Sequence, residues 1–213
     1  MSANLTKKRR ERERERRQQQ IGIAARRLFL EKGFNKTTID DIAQEAEISP
    51  ATIYVHFKSK EELYASLYIR ILKYLFFRVE QINEEREIGP LEKFDLLKEA
   101  MYDVYKFDPY MIINLLHLQS SQTLQIFSDD LKTEIIELSH KALTQISIIF
   151  EDGIHAEIFI NKNPIALADA FCSLFSGIVL WMTNKNLFDT QKDHIKPTLY
   201  LAYEIFTQGI RKK

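Results

Sequence analysis

The sequence predicts an all-α protein, in which a three-helix N-terminal domain of the helix-turn-helix type precedes a larger helical domain. Apolar residues recur at helical spacing through most of the 213 residues, and no alternating strand pattern exceeds a few residues. Turn and cap signals divide residues 37–63 into two short helices and the start of a third. We therefore place the first domain at residues 1–60 and the second at residues 61–213.

Charge is distributed unevenly between these two domains. The chain has 30 basic and 30 acidic residues, yet residues 1–60 contain 14 Lys and Arg against 8 Asp and Glu. The remainder contains 16 basic residues against 22 acidic ones. A basic first domain joined to an acidic remainder is typical of a DNA-binding head on a body that does not adhere to DNA.

The first predicted helix follows a run of alternating charges. Residues 7–17 read KKRRERERERR, so that Arg and Glu lie three residues apart on a helix and can pair. Two interpretations stay open: a solvated helical extension without a role, or a basic arm that contacts phosphates or enters the minor groove. The helix proper is predicted over residues 18–32, with Gly33 as its C-cap.

Two short helices come next. Thr38 is the predicted N-cap of the first, whose apolar positions fall at helical spacing up to Ala46. Ser49 is the predicted N-cap of the second, with Pro50 at its first position, where a missing N–H costs nothing. Ile53 and Phe57, four residues apart, are predicted to face inward.

The outward side of the second short helix suggests contact with DNA. Its tip is small and uncharged, and hydrogen-bonding side chains and a cation surround it. Such a tip can approach base edges in the major groove, whereas a plain helical hairpin would need none of these features. The predicted phosphate contacts are Thr38, Tyr54, His56 and Lys60. The predicted base contacts are Ser49, Pro50, Ala51 and Thr52.

The rest of the chain is predicted to be helical, with a break at Gly89-Pro90. A long fourth helix begins at Ser59, at the start of a capping box, and leads from the first domain into the second. The later predicted helices span about residues 91–106, 109–119, 124–127, 128–153, 163–184 and 195–210.

Residues 24–63 resemble the DNA-binding domain of the TetR/AcrR (tetracycline-repressor-like) family of bacterial transcription regulators. The matching segments, in order and at the family's spacing, are ARRLF at 25–29, KGF at 32–34, TTIDDIA at 37–43, ISPATIYVHF at 48–57 and KSKEEL at 58–63. The family often has Lys, Arg or Gly at the opening of the recognition helix, where this chain has Pro50 and Ala51. The resemblance implies a homodimer that binds a palindromic operator and represses transcription until a small ligand releases it; an activator can use the same head.

The resemblance also implies a dimer surface on the last two long helices. In the family these helices pair with their symmetry mates in a four-helix bundle. In this chain residues 166–181 combine small side chains, which allow close helix packing, with the larger Phe175, Leu180 and Trp181. The alternative is that this helix is entirely core.

A family body normally encloses its effector between the fifth and eighth helices. The candidate lining residues are aromatic, apolar or imidazole side chains on those helices: Met101, Tyr102, Tyr105, Phe107, Met111, Leu115, His117, Phe127 and Phe150. As a group they suggest an apolar or aromatic ligand, or a long acyl chain. Each residue taken alone is also compatible with a core position.

Motifs of other classes of protein are missing from the sequence. It has no Gly-rich phosphate loop, nucleophile elbow, HExxH motif or paired Cys and His site, so we expect no enzyme activity, cofactor or metal. A helical protein-interaction adaptor is the remaining alternative, but it would not explain the small tip ringed by hydrogen bonders.

The sequence predicts a cytoplasmic protein that interacts with no membrane. The single cysteine, Cys172, lies in an apolar run, so we expect a core residue in a reducing compartment. The charged N-terminus has no secretory pattern, and the apolar run 171–182 is short for a membrane span.

Overall fold

The protein is described from a computed structural model, in which residues 2–119, 127–186 and 195–212 are described. These ranges form α-helices and connecting segments, with one isolated antiparallel bridge between Phe159 and Arg211. The prediction of an all-α fold is confirmed. The helices are α1 (Ser2–Lys32), α2 (Ile39–Glu45), α3 (Pro50–His56), α4 (Lys60–Glu84), α5 (Pro90–Phe107), α6 (Pro109–Gln119), α7 (Asp129–His155), α8 (Pro164–Asn186) and α9 (Ile195–Ile210).

The described residues divide into two compact units. The first contains residues 2–68 and 127–131, and the second contains residues 69–119, 132–186 and 195–212. Phe127 belongs to the first unit because its ring packs 6.4 Å from that of Tyr64 and 6.3 Å from that of Tyr68. The functional domain limits of 1–60 and 61–213 stay a prediction. The short helix predicted at 124–127 lies outside the described residues except for Phe127.

Helix α1 is much longer than predicted. It begins at Ser2 rather than near residue 18, so the charged run is helical throughout. Opposite charges along it pair as helical spacing allows, with Arg16 Nη2 2.9 Å from Glu13 Oε1. Farther along, Ile21, Ala25 and Phe29 are buried and anchor the helix in the first unit. Gly33 then ends it with a φ of +78°, a conformation that glycine adopts without strain.

Local side-chain bonds define both short helices, as predicted. The Thr38 hydroxyl accepts a hydrogen bond from the Asp41 backbone N–H at 3.1 Å, and the Asp41 carboxylate accepts one from the Thr38 N–H at 2.9 Å. These two bonds form a capping box that starts α2. At the start of α3, the Ser49 hydroxyl accepts from the Thr52 N–H at 3.2 Å. The turn between the helices is therefore fixed at both ends.

Glu47 lies in the turn between α2 and α3 with a left-handed backbone, at a φ of 54°. Its N–H donates to the Gln44 carbonyl at 3.1 Å, and the Ile48 N–H donates to the Ala43 carbonyl at 2.9 Å. This pattern is the usual C-terminal stop of a helix, in which glycine is the favoured left-handed residue. The turn thus holds a side chain where the backbone would accept glycine more easily.

We expect Glu47→Gly to raise the free energy of unfolding by about 1 kcal/mol, because a residue with a Cβ is strained in the left-handed region. Urea denaturation followed by circular dichroism measures the change. Gln44→Gly is the matched control, since Gln44 is exposed and lies within α2. Glycine there should lower stability by roughly 1 kcal/mol. A loss of stability in both variants would contradict the left-handed assignment of Glu47.

Aromatic rings form the centre of the second unit. Phe94 of α5 lies 5.4 Å from Phe171 of α8 and 5.5 Å from Phe150 of α7, measured between ring centroids. Phe171 in turn stacks on Tyr203 of α9 at 4.2 Å. Edge-to-face and offset pairs of this kind stabilise a core beyond the area that they bury. The four helices α5, α7, α8 and α9 are therefore joined through shared rings.

The apolar stretch of helix α8 is longer than the run of residues 171–182 identified from the sequence. The stretch Pro164–Met182 has 19 residues and a mean hydropathy of 1.9, so by length and composition it could cross a membrane. The expectation that this apolar run is too short to span a membrane considered residues 171–182 alone and so underestimated its length. Only 33% of the stretch is buried within the chain, which leaves apolar side chains such as Trp181 exposed. Cys172 on this helix is half-buried, and burial raises the pKa of its thiol to about 12.

Candidate nucleic-acid interface

Helix α3 has one buried and one exposed side, as the sequence predicts. Ile53 is fully buried and Phe57, its C-cap, is 6% exposed, so both attach the helix to the first unit. On the other side Tyr54 is 56% exposed and Val55 is 76% exposed. Large exposed side chains on a short, firmly packed helix can contact a partner without disturbing the core.

The structure places all eight predicted DNA contacts at the surface of the first unit. Thr38, Ser49, Ala51 and Tyr54 are exposed, whereas Pro50, Thr52, His56 and Lys60 are half-buried. Seven of them lie in or beside α3 and the start of α4, and Thr38 caps α2. Their roles at bases or phosphates stay predictions.

Several of these polar groups also hold the domain together. The Ser49 and Thr52 hydroxyl oxygens are 2.8 Å apart, and the Thr38 hydroxyl donates to the Asp41 carboxylate at 2.8 Å. Hydrogen bonds from the Thr38 backbone and side chain lower the pKa of Asp41 to about 2. A hydroxyl that caps a helix keeps a lone pair for a base N–H, whereas the single O–H of Thr38 must turn away from Asp41 before it can donate to a phosphate oxygen.

Lys60 has contacts that the sequence did not reveal. Its ammonium donates to the carbonyl oxygens of Phe34 and Thr37, both at 2.9 Å, and lies 4.3 Å from the centre of the Phe34 ring. These contacts stabilise the loop between α1 and α2. An ammonium group has three N–H donors, so one remains for the predicted phosphate contact.

His56 lies beside residues that are distant in sequence. A cleft of about 460 Å³ is lined by Glu13, Arg14, Arg17, Val55 and His56. Burial lowers the pKa of His56, and the positive charges of Arg14 and Arg17 lower it further. The basic run is evident in the sequence but this proximity is not, because nothing local relates residue 14 to residue 56.

The candidate effector residues of the second unit differ in exposure. Phe150 and Met111 are fully buried and Met101 is 2% exposed. Tyr102 and Tyr105 are half-buried, with ring centroids 6.2 Å apart. Phe107 is 38% exposed, and its ring stacks at 4.5 Å on that of Tyr74.

Two further effector candidates, Leu115 and His117, lie in α6 but have side chains outside the described set. A shared role of these residues in binding a ligand stays a prediction. Within residues 2–119, 127–186 and 195–212, no group of three His, Cys, Asp or Glu side chains is arranged to hold a metal ion.

Helices α2 and α3 are capped, joined by a tight turn, and expose one side of the second helix. This is the arrangement found in helix-turn-helix DNA-binding proteins. Residues 23–67 match the family described as bacterial regulatory proteins, tetR family. The first unit of this chain therefore contains a TetR-family domain.

Curated relatives support the same family. The chain is 29% identical over 128 residues to IcaR of Staphylococcus aureus strain Newman, a negative transcriptional regulator of the biofilm operon icaADBC. That match covers 59% of this chain and 65% of IcaR. It is also 24% identical over 171 residues to the uncharacterized HTH-type regulator YhgD of Bacillus subtilis, covering 80% of this chain and 82% of YhgD.

Solved structures share the fold. The TetR-family regulator PfmR from Thermus thermophilus has a TM-score of 0.73 at 22% identity, covering 91% of this chain and 99% of PfmR. FadR from Bacillus subtilis, solved in complex with stearoyl-CoA, has a TM-score of 0.72 at 22% identity, covering 90% of this chain and 98% of FadR.

Proposed function

We propose that the protein is a homodimeric transcriptional repressor of the cytoplasm that binds a palindromic operator. The observation that carries this proposal is the exposed side of α3, with Tyr54 at 56% exposure, on a head whose sequence matches the TetR family. Ser49, Pro50, Ala51 and Thr52 would meet base edges in the major groove. Thr38, Tyr54, His56 and Lys60 would hold the phosphates on either side.

The proposed dimer forms through α8 and α9. Small and apolar residues at helical spacing follow one exposed side of α8: Ala166, Ala170, Ser173, Gly177 and Trp181. On α9, Leu201 is 57% exposed and Ile205 is 61% exposed. Exposed apolar side chains that cluster on neighbouring helices are typical of a protein interface. A two-fold dimer carries two heads, each of which reads one half of a palindrome.

Trp181 provides a test of this dimer, because it is the single tryptophan of the chain and is 71% exposed in one protomer. Burial in a dimer would shift its emission to shorter wavelength. We expect the emission maximum to move to longer wavelength on dilution, in parallel with dissociation measured by sedimentation. The variant Ala170→Glu, with a charge on the same side of α8, should show the long-wavelength emission at every concentration. Dissociation without any change in emission would place the interface elsewhere.

The proposed effector is a small apolar molecule bound by the second unit. Aromatic and Met side chains are concentrated in this unit, and the similar fold of FadR was solved with stearoyl-CoA. A ligand that binds better to a dimer with incorrectly spaced heads shifts the population toward that state and releases DNA.

We expect stearoyl-CoA to release the protein from its operator and coenzyme A alone to leave the complex intact, because the acyl chain supplies most of the apolar surface that the ligand can bury. Fluorescence anisotropy of labelled operator measures the release. Equal operator affinity with and without stearoyl-CoA would exclude a long acyl chain as the effector.

The first test of DNA binding is selection from a random pool of duplexes with purified protein, followed by titration of the selected sequence in rising salt. We expect an enriched palindrome whose affinity falls steeply with salt, since phosphate contacts release counterions. Mass spectrometry of the protein tests beforehand whether a ligand was purified with it, and the selection uses ligand-free protein. No enriched sequence from ligand-free protein would contradict the proposal, and a reporter fused to the operator gives the sign of regulation.

A further inference from the structure

We infer that the N-terminal extension of α1 contributes Arg14 and Arg17 to a phosphate-binding cleft that it shares with His56 of α3. This inference rests on the proposed function, because the phosphate in question belongs to the backbone of the bound DNA. It assigns a role to the charged run at residues 7–17, for which the sequence left two interpretations open.

The extension is attached firmly to the helix-turn-helix. Gln20 of α1 donates through Nε2 to the Ala46 carbonyl, in the turn before α3, at 2.8 Å. Arg17 donates to the Gln20 side-chain oxygen at 2.9 Å, and Arg27 pairs with Glu45 at 2.8 Å. These contacts fix the direction in which α1 leaves the domain, so that Arg17 lies at one wall of the cleft.

The cleft is electropositive although Glu13 lines it. Arg16 holds the Glu13 carboxylate with two hydrogen bonds, at 2.9 and 3.2 Å, and Arg17 lies 3.8 Å from the same group. Arg14 is exposed and forms no hydrogen bond or ion pair with any of the described residues. Two arginines and one carboxylate line the cleft, and that carboxylate is also bound by Arg16, which leaves positive charge available for an anion.

The environment of His56 indicates that the positive charge in the cleft comes from the arginines. Its Nδ1 atom is buried and has no hydrogen-bond partner among the described residues. A neutral imidazole avoids an unpaired buried donor when its proton resides on Nε2. Burial, and then the positive charges of Arg14 and Arg17, lower the pKa of His56 and so favour its neutral form. It can therefore donate one hydrogen bond to a phosphate oxygen, while Arg14 and Arg17 supply the charge.

The position of the cleft favours a phosphodiester of DNA over a free anion. Val55 and His56 come from the last turn of α3, next to the exposed Tyr54. When a short helix lies in the major groove, the sugar-phosphate backbone runs along the rim of that groove, beside the ends of the helix. A backbone phosphate can then reach Arg14 and Arg17 without entering the groove itself.

The test compares two double variants with the same change in charge. Arg14→Gln with Arg17→Gln removes the cleft arginines, and Arg9→Gln with Arg12→Gln removes two arginines of the same extension that do not line the cleft. Circular dichroism and sedimentation first establish that both variants stay helical and dimeric. The affinity for the selected operator is then measured as a function of salt.

We expect the cleft variant to reduce the slope of log affinity against log salt by about 2 for a dimer, because each head then neutralises one phosphate fewer and each phosphate contributes roughly 0.9 to the slope. The control variant should change the slope by less than half of this. Equal changes in both variants, or no change in either, would overturn the inference while leaving the proposed function intact. Failure of the parent protein to bind any selected duplex would instead contradict the proposed function.

A second measurement distinguishes DNA from free phosphate. The imidazole NMR signals of His56 are followed while inorganic phosphate is added at constant ionic strength without DNA. We expect no saturable shift at millimolar phosphate. A saturable shift that Arg14→Gln with Arg17→Gln abolishes would identify a site for free anions, and the assignment to the DNA backbone would be wrong.

Discussion

Replacing Tyr54 with Ala is expected to lower the affinity for the selected operator by at least about 100-fold while leaving the dimer intact. Tyr54 is 56% exposed on α3, so its removal leaves the buried anchors Ile53 and Phe57 in place. A hydrogen bond to a charged phosphate contributes roughly 1.5–3 kcal/mol. A dimer loses this contact in both heads, and the doubled loss corresponds to roughly 100- to 10⁴-fold in affinity.

Two controls isolate the role of Tyr54. Tyr54→Phe removes the hydroxyl and keeps the ring, so it should retain whatever packing against the DNA the ring provides and show an intermediate loss. Ile23→Ala removes an exposed apolar side chain of α1 that lies outside α3 and the cleft, and should change affinity less than either. Fluorescence anisotropy at one salt concentration measures all three variants. If Tyr54→Ala bound as tightly as the parent protein, our placement of the recognition helix would be wrong.

The features of the head that the sequence predicted correctly are those set by nearest neighbours in the chain. Thr38 and Ser49 cap their helices through bonds to residues three positions ahead, and Gly33 ends α1 through its own backbone conformation. Caps, turns and the spacing of apolar side chains are local, so a single sequence displays them. The inward positions of Ile53 and Phe57 followed from the same spacing.

The features that could not be predicted depend on long-range packing. Lys60 was expected only at a phosphate, yet two of its donors are bound by carbonyl groups 23 and 26 residues earlier in the chain. Likewise, Arg14 and Arg17 line a cleft with His56 because α1 extends as a helix well before residue 18. Apolar composition also cannot separate pocket from core: Phe150, a candidate effector residue, is fully buried among other rings, which either role allows.

Gly153→Ala is expected to lower the free energy of unfolding of the second unit by about 3 kcal/mol, the upper range for overpacking a core. A Cβ at this position would lie 2.1 Å from Cδ2 and 2.3 Å from Cε2 of Phe159. Phe159 cannot move aside easily, because it is 1% exposed and its N–H donates to the Gly153 carbonyl at 3.0 Å. Its ring also lies 5.9 Å from that of Phe94.

The clash can be separated from the general effect of replacing glycine in a helix. Gly209→Ala is the control, because a Cβ there has no heavy atom within 4 Å and α9 should gain up to about 1 kcal/mol from alanine. Phe159→Leu makes space at Gly153, so the double variant Gly153→Ala with Phe159→Leu should be more stable than the sum of the single changes predicts. Denaturant unfolding of the four variants measures this coupling. Strict additivity would mean that the Phe159 ring is not what excludes a side chain at residue 153, and that α7 prefers glycine there for another reason.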